Sequence, residues 1–395
     1  MRILVSNVGS TSLKFKLYDM PSEHILCTAK VERVGSREHA VFSYSNPSKQ
    51  FSLEKEGLSV PNYTEGIRLF LEYLTGEVSG AIRDVSEIQA IGFKTVLSKG
   101  YYDVHELTEP VIQGMKDYLF IAPVHNSAYL EAIACFEKIL PSIPKIGVFE
   151  TAFHTTIPKE RRIYSLPYEW YEEYGIQRMG YHGASHSYVA SRAGDFGPAG
   201  KIISCHLGGS CSLCAILNGE SVDTSFGFSL QAGIPHANRC GDLDPYIIPF
   251  LRSEGMEESE ILEGLEKNGG LLGISGVSND FRFVCDAAEQ GNERAKLAVE
   301  IFVNSIVRYI GMFYAELGGL DSLVFTGGIG EHSALLRKKV CQAVSHMGIF
   351  LDEEKNASVT EGKISADFSP VAVSVIAANE ELGIARKTQA YLEER

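Results

Sequence analysis

Hydrophobic positions cluster as Ile3-Leu4-Val5 within Arg2 to Ser6 and alternate with polar ones from Leu13 to Tyr18, with a run of small residues, Asn7-Val8-Gly9-Ser10-Thr11-Ser12, between them. Short apolar or alternating runs on both sides of a glycine-bearing turn predict a β-hairpin. The same figure returns about half a chain later. Ile202-Ile203-Ser204-Cys205 predicts a strand, His206-Leu207-Gly208-Gly209-Ser210 a turn, and Leu213 to Leu217 the return strand. Asn7 and His206 hold equivalent places, as do Gly9 and Gly208. Such a recurrence predicts a duplicated architecture, two related domains facing a shared cleft.

Between and after the hairpins the period changes from two to 3.6. Tyr63 to Leu74, Ala128 to Leu140 and Glu293 to Leu317 read as amphipathic helices, the last with Leu297, Ile301, Ile306, Ile310 and Phe313 at helical spacing and Gly318-Gly319 as its stop. Leu323-Val324-Phe325 and Val371 to Ala377 read as buried strands, and a helix resumes near Ser333. Asn46 to Gly57 is mostly polar and predicts a surface excursion. Strand and helix alternate throughout, the pattern of an α/β protein.

A chain of 395 residues exceeds what one hydrophobic core ordinarily serves, so two domains are expected. The formal net charge of −14 argues against a nucleic-acid partner, which needs a basic stripe. The apolar run after Met1 is too short for a secretory signal and no run of about 18 apolar residues predicts a membrane span, so a cytoplasmic location is expected. The eight cysteines are scattered and are expected to be reduced and buried. Cys211 and Cys214 form a CxxC, but no second pair stands at a zinc-site spacing.

Three loops can handle phosphate: the tips Gly9–Ser12 and Gly208–Ser212 through backbone N–H groups, and the strand–glycine turn–helix from Phe325 to Ser333 through a helix N-terminus. No GxxxxGK[ST] and no complete GxGxxG is present, which disfavours the P-loop and Rossmann modes. Phosphoryl transfer needs cations around the migrating group and oxygen ligands for a metal. Arg239 lies in the polar loop Asn238-Arg239-Cys240-Gly241-Asp242. Glu380 and Glu381 follow a strand, where a carboxylate serves either Mg2+ or the dipole of the helix beginning there. His182 and His186 are four apart and share a face if helical. Without an HExxH glutamate, structural or phosphate-stabilising roles outrank zinc.

In order along the chain, Asn7 to Lys14, Ala122-Pro123-Val124-His125-Asn126, Phe149-Glu150-Thr151-Ala152-Phe153-His154, Leu166 to Tyr171, Gly180 to His186, Val222-Asp223-Thr224-Ser225, Ser275 to Arg282, Gly327 to Glu331 and Asn379 to Leu382 resemble the landmarks of the acetate kinase family, within the sugar-kinase and actin-like two-domain ATPases. The resemblance implies an α/β fold of two duplicated actin-like (ribonuclease H-like) domains flanking a nucleotide cleft. The first would be 1–151 plus 382–395, and the nucleotide-binding second 152–381. It implies reversible, in-line transfer of the ATP γ-phosphoryl to acetate or another small carboxylic acid, giving an acyl phosphate and ADP. It also implies Mg2+ and a homodimer, with no nucleic acid and no membrane as partner. By that resemblance Asn7 and Glu380 organise Mg2+. Lys14 and the turn His206, Gly208, Gly209 and Ser210 serve the nucleotide phosphates. Asp280, Phe281 and Arg282, with Gly328, Ile329, Gly330, Glu331 and His332, line the adenosine side. Glu150, His182, Arg239, Lys94 and His125 form the catalytic set.

Departures from the family pattern fall at the chemistry. Lys94 stands where an arginine usually meets the acid's carboxylate; it keeps the charge and loses the bidentate fork, a loss of about 1–3 kcal/mol. Glu150 stands for an aspartate, moving the carboxylate by about 1 Å, which costs on the order of a hundredfold in rate when nothing compensates. Gly209 and Ser210 replace asparagine and glycine, and Ser210 is strained if its position needs φ > 0. His332 replaces asparagine, and Tyr181 and Leu230 replace phenylalanine and proline around the acid. The alternatives are a nucleotide-binding homologue with weak or no catalysis and a regulatory or scaffold role, and a kinase for an alcohol with Glu150 as base.

Overall fold

Strands β1 (Arg2–Gly9) and β2 (Ser12–Asp19) pair from Arg2↔Asp19 to Gly9↔Ser12, so the predicted turn tightens to Ser10-Thr11. The structure is a computed structural model describing residues 1–394. Six further strands follow: β3 (His24–Glu32), β4 (Ser36–Asn46), β5 (Phe51–Val60), β6 (Ala90–Thr95), β7 (Val104–Glu106) and β8 (Lys145–Phe149). They complete a sheet ordered β5-β4-β3-β2-β1-β6-β8-β7. The second sheet uses β9 (Lys201–Leu207), β10 (Cys211–Leu217), β11 (Glu220–Thr224), β12 (Ser322–Thr326), β13 (Gly362–Lys363) and β14 (Ala372–Val375), ordered β11-β10-β9-β12-β14-β13.

The duplication is visible in the hydrogen-bonded order. β3-β2-β1-β6-β8 and β11-β10-β9-β12-β14 are the same figure. In each, three strands pair antiparallel, and two more add parallel to the first hairpin strand. The parallel strands β8, β12 and β14 are buried at every position, because helices cover both faces of a parallel sheet. The chain forms two compact units, Met1–Ala152 with Asn379–Arg395, and Phe153–Ala378. The resemblance implies a return at 382, and the first unit takes the chain back from Asn379, just ahead of the closing helix Glu380–Glu393. This helix packs on β6, where its Thr388 and Ile384 side chains approach Gly92 so closely that a Cβ there would lie 2.5 Å from Thr388 Oγ1.

Where polar composition predicts a surface excursion at Asn46–Gly57, the chain forms the end of β4, a short turn and β5. β5 is the outermost strand and mostly exposed, so it needs few apolar residues. The helix predicted from Ala128 starts at Pro123, since proline's fixed φ suits a first helical position. Helix Glu293–Leu317 is long and apolar enough in composition to cross a membrane. Its Ala298, Phe302, Ile306, Ile310 and Phe313 nevertheless lie in the core of the second unit. Asn292 caps its start by accepting from Ala295 N at 3.0 Å, and Gly318 ends it at φ 63°.

Candidate functional site

In the first unit, the end of β1 meets a buried charge cluster. Tyr129, on helix Pro123–Ile139, donates its hydroxyl to Asn7 Oδ1 at 3.2 Å and accepts from Val8 N at 3.2 Å. Lys94 lies on β6, the parallel neighbour of β1. Its Nζ is 2.6 Å from Glu380 Oε2 and 3.6 Å from Glu150 Oε1. Glu150 directly follows β8 and is 4% exposed, its N–H held by Thr95 O at 2.9 Å. Burial disfavours the Lys94 ammonium, but Glu150 and Glu380 outweigh it and hold its pKa above the ordinary lysine value. Asn7, Lys94, Glu150 and Glu380 are thus brought together, with Tyr129 as a member that the sequence pattern did not show.

The oxygens of Asn7 and Glu380 are the hard donors Mg2+ takes, and their small number suits an ion that keeps several waters. Among the described residues no group of three or more acidic, histidine or cysteine side chains forms a cage of its own. Lys14 sits opposite Asn7 in the hairpin and is exposed. His125 is exposed one helical turn before Tyr129.

In the second unit, histidines and serines interleave. His182 Nδ1 and His186 Nε2 both meet Ser212 Oγ, at 2.8 and 2.9 Å. His186 Nδ1 meets Ser204 Oγ at 2.9 Å, and His206 Nδ1 meets Ser185 Oγ at 2.9 Å. The His182 and His206 rings lie 4.1 Å apart. Burial, with His154 and His206 nearby, holds His186 neutral, its pKa well below the usual value. The helix begins at Gly183, so His182 is its N-cap, in the left-handed region at φ 59°. A non-glycine residue there costs about 1–3 kcal/mol and is kept where the surroundings dictate it, often at a functional site. Gly180, at φ 71°, permits this bend; a Cβ would lie 2.5 Å from the His154 ring.

Arg239 reaches its place on a loop pinned to the Gly208–Ser210 turn. Ala237 N donates to Gly209 O at 3.1 Å, and Cys211 N donates to His236 Nδ1 at 2.9 Å. Burial and then Arg239 push His236 down to about 3, so it remains a neutral acceptor. Arg239 is partly buried and gives one N–H to Leu230 O at 2.7 Å. Among the described residues no carboxylate lies within ion-pair distance of it. Burial lowers its pKa, yet a guanidinium stays charged. The Tyr181 hydroxyl, extra to the family pattern, is taken by Phe228 O at 2.7 Å. The expected strain at Ser210 is absent, since Ser210 has no positive φ. Gly209 is exposed with open space where a Cβ would go. Cys211 and Cys214 lie buried in β10 as free thiols.

A cavity of about 800 Å³ opens in the same unit. Gly208 and Gly209 line one side, Asp280, Phe281 and Arg282 another, and Gly328, Ile329 and His332 a third. Phe281 is mostly buried and stacks toward Phe302 at 5.5 Å, so its larger role is in the core. Gly330 and Glu331 are not on the wall. The Glu331 carboxylate instead accepts from Gly327 N at 2.9 Å and Ala378 N at 3.0 Å, holding the turn. Gly327, at φ 76°, passes Leu207 so closely that a Cβ would lie 2.8 Å from its carbonyl oxygen. Arg337, 2% exposed, donates Nη1 to Gly330 O and Glu331 O at 2.8 and 2.7 Å.

Asp223, in the Val222–Ser225 stretch, faces Glu316 at the end of the long helix. Burial and then Asp223 raise the Glu316 pKa above its ordinary 4.5, and burial also raises that of Asp223. Arg161 is 4.0 Å from Glu316 Oε2, and Arg178 also faces the pair. The folded pair therefore holds a proton that the unfolded chain releases above 4.5. Its contribution to stability is full at acid pH and is lost as pH rises through the raised folded value. Glu316→Gln is expected to gain stability relative to the parent between pH 5 and 8, by on the order of 1 kcal/mol. Urea unfolding at both pH values checks this, and a pH-independent difference contradicts the shared proton.

The two α/β units repeat one strand order, the first carrying a buried cation–carboxylate cluster and the second a glycine-walled cavity. Known proteins place the chain more closely. The acetokinase family model matches residues 2–386. Acetate kinase of Bacillus subtilis is 40% identical over 392 residues, covering 98% of both chains. That of Clostridium novyi is 41% identical over 400 residues, covering 100% of this chain and 99% of its own. The fold matches the crystal structure of Porphyromonas gingivalis acetate kinase with a TM-score of 0.86 at 36% identity, covering 99% of each chain. It matches a Francisella tularensis propionate kinase with a TM-score of 0.88 at 32% identity, covering 98% of this chain and 99% of that one. The chain belongs to the acetokinase family, and with it to the ATP-dependent carboxylate kinases.

Proposed function

We propose that this protein transfers the γ-phosphoryl of ATP reversibly to acetate or another short carboxylic acid, with Mg2+, as a cytoplasmic homodimer. The observation that carries the reading is Arg239. A partly buried guanidinium with no carboxylate in ion-pair range among the described residues is costly to keep unless an anion comes to it.

In the first unit Lys94 supplies the cation for the acid's carboxylate, and Glu150 orients Lys94. Asn7 and Glu380 hold Mg2+, which when bound draws charge from the phosphate oxygens. In the second unit the glycine turns offer backbone N–H groups to nucleotide phosphates. His182 and Arg239 donate to the phosphoryl oxygens as charge spreads over them in a loose transition state. His182 is aimed by Ser212, which His186 shares. No covalent protein intermediate is required, so positioning and charge do the work.

A hydroxamate assay with Mg-ATP against short linear, branched and hydroxylated acids tests this, since only acyl phosphates form hydroxamates. Product with at least one acid is expected, with Lys94 in place of an arginine fork giving a weak hold on each. Nucleotide binding without product from any acid would favour the non-catalytic homologue, and phosphorylation of an alcohol without hydroxamate would favour the third reading.

A further inference from the structure

Lys94 faces two carboxylates, and one of them belongs to the metal side. Its Nζ is 2.6 Å from Glu380 Oε2, a full charge-assisted hydrogen bond, and 3.6 Å from Glu150 Oε1. A divalent cation bound by Glu380 and Asn7 would claim the same Glu380 oxygens and repel the ammonium beside them. The ammonium sits on Oε2, so a metal on the other oxygen would leave two cations side by side on one carboxylate, and their repulsion sets them in competition. An arginine would be fixed by its planar fork, whereas a lysine ammonium on a flexible four-carbon stem can exchange one partner for another. Glu150, nearly fully buried just after β8, is the second carboxylate that keeps the ammonium in place during such an exchange.

We propose that Lys94 is an internal counter-ion for Glu380. It neutralises that carboxylate in the metal-free protein, yields it when a divalent cation binds, and is thereby released toward the carboxylate of the acid. The inference rests on the reading of Glu380 as a metal ligand and adds competition to it.

The test uses Mn2+ alone, without nucleotide or acid, titrated by electron paramagnetic resonance into the parent protein, Lys94→Met, Lys94→Arg and Glu380→Gln. Lys94→Met is expected to bind Mn2+ about tenfold more tightly, the size of a contact coupling. Glu380→Gln is expected to bind far more weakly. Equal or weaker Mn2+ binding by Lys94→Met, with Glu380→Gln impaired, overturns the competition and leaves the metal reading standing. Unchanged binding by Glu380→Gln overturns the metal reading itself. Lys94→Met leaves two carboxylates without their cation, so if it fails to fold Lys94→Arg decides. Its fork should hold Glu380 harder and weaken Mn2+ severalfold, and unchanged or tighter binding overturns the proposal.

Discussion

Arg239→Ala is expected to lower the rate of acyl phosphate formation by about 10³–10⁵-fold, the range found when a transition-state arginine is supplied or withheld in phosphoryl transfer. Nucleotide affinity should change only a few-fold. The reason lies in where the charge is needed. Arg239 gives one N–H to Leu230 O, and a guanidinium has five such donors. The loop that carries it is fixed through Ala237 and His236 to the Gly208–Ser210 turn, so the guanidinium is held ready and little is reorganised when charge develops. The glycine-walled cavity is lined by other residues, none of them Arg239. Arg239→Lys should recover part of the rate, keeping the charge and losing the fork. Hydroxamate formation and calorimetric nucleotide binding, measured on the same preparations, separate the effects. A loss of nucleotide affinity as large as the loss of rate would make Arg239 a ground-state binder. Near-parental rates with every acid would remove it from the chemistry.

Local pattern is enough to read the hairpins, because each sets short apolar or alternating runs on both sides of a small-residue turn within about twenty residues. The repeat of β1–β2 in β9–β10 also made the duplicated sheets legible. β5 was not legible, because an exposed outer strand carries too few apolar residues to show a period. Lys94, Glu150, Asn7 and Glu380 are named as candidates by family pattern alone, and the structure adds the ion pairs of Lys94 with Glu150 and Glu380 and the Tyr129 bond to Asn7. Tyr129 was missed because its bond to Asn7 spans 122 residues and leaves no local mark. Ser212 was missed for the same reason, as a bridge between two histidines in a different element. The condition for strain at Ser210, a positive φ, is not met, since φ is set by the turn and not by residue type alone. Arg337 could have been found. It lies three and four residues before Val340 and Cys341 on helix Ala334–Ala343, on the apolar face, where an arginine needs a reason.

That reason makes Arg337→Met the other large effect, an expected loss of about 3–5 kcal/mol, since each buried acceptor left without its donor costs about 1–3 kcal/mol. Arg337 uses four of its five donors. Nε meets Asn356 Oδ1 at 2.8 Å, Nη2 meets Asn356 O at 2.7 Å, and Nη1 meets Gly330 O and Glu331 O. The last two are carbonyls at the end of helix Gly327–His332, which lack intrahelical partners. Methionine fills much of the stem's volume and offers no donor, so four bonds to buried oxygens are lost while hydrophobic packing is largely kept. The unfolding temperature of the second unit should fall on the order of 10 °C. Nucleotide affinity should fall with it, by about tenfold, the size of a contact coupling, because Gly328 and Ile329 on the cavity wall belong to the turn that Arg337 ties down. Scanning calorimetry and nucleotide titration on one sample check both halves. Removing Asn356 as well, in Arg337→Met/Asn356→Leu, should cost less than the sum of the single changes, since one network is being broken twice. Strict additivity would mean that the turn is held by its own backbone, with Glu331 and Gly327 as its sole clasp. In that case the affinity loss should appear in Glu331→Gln instead.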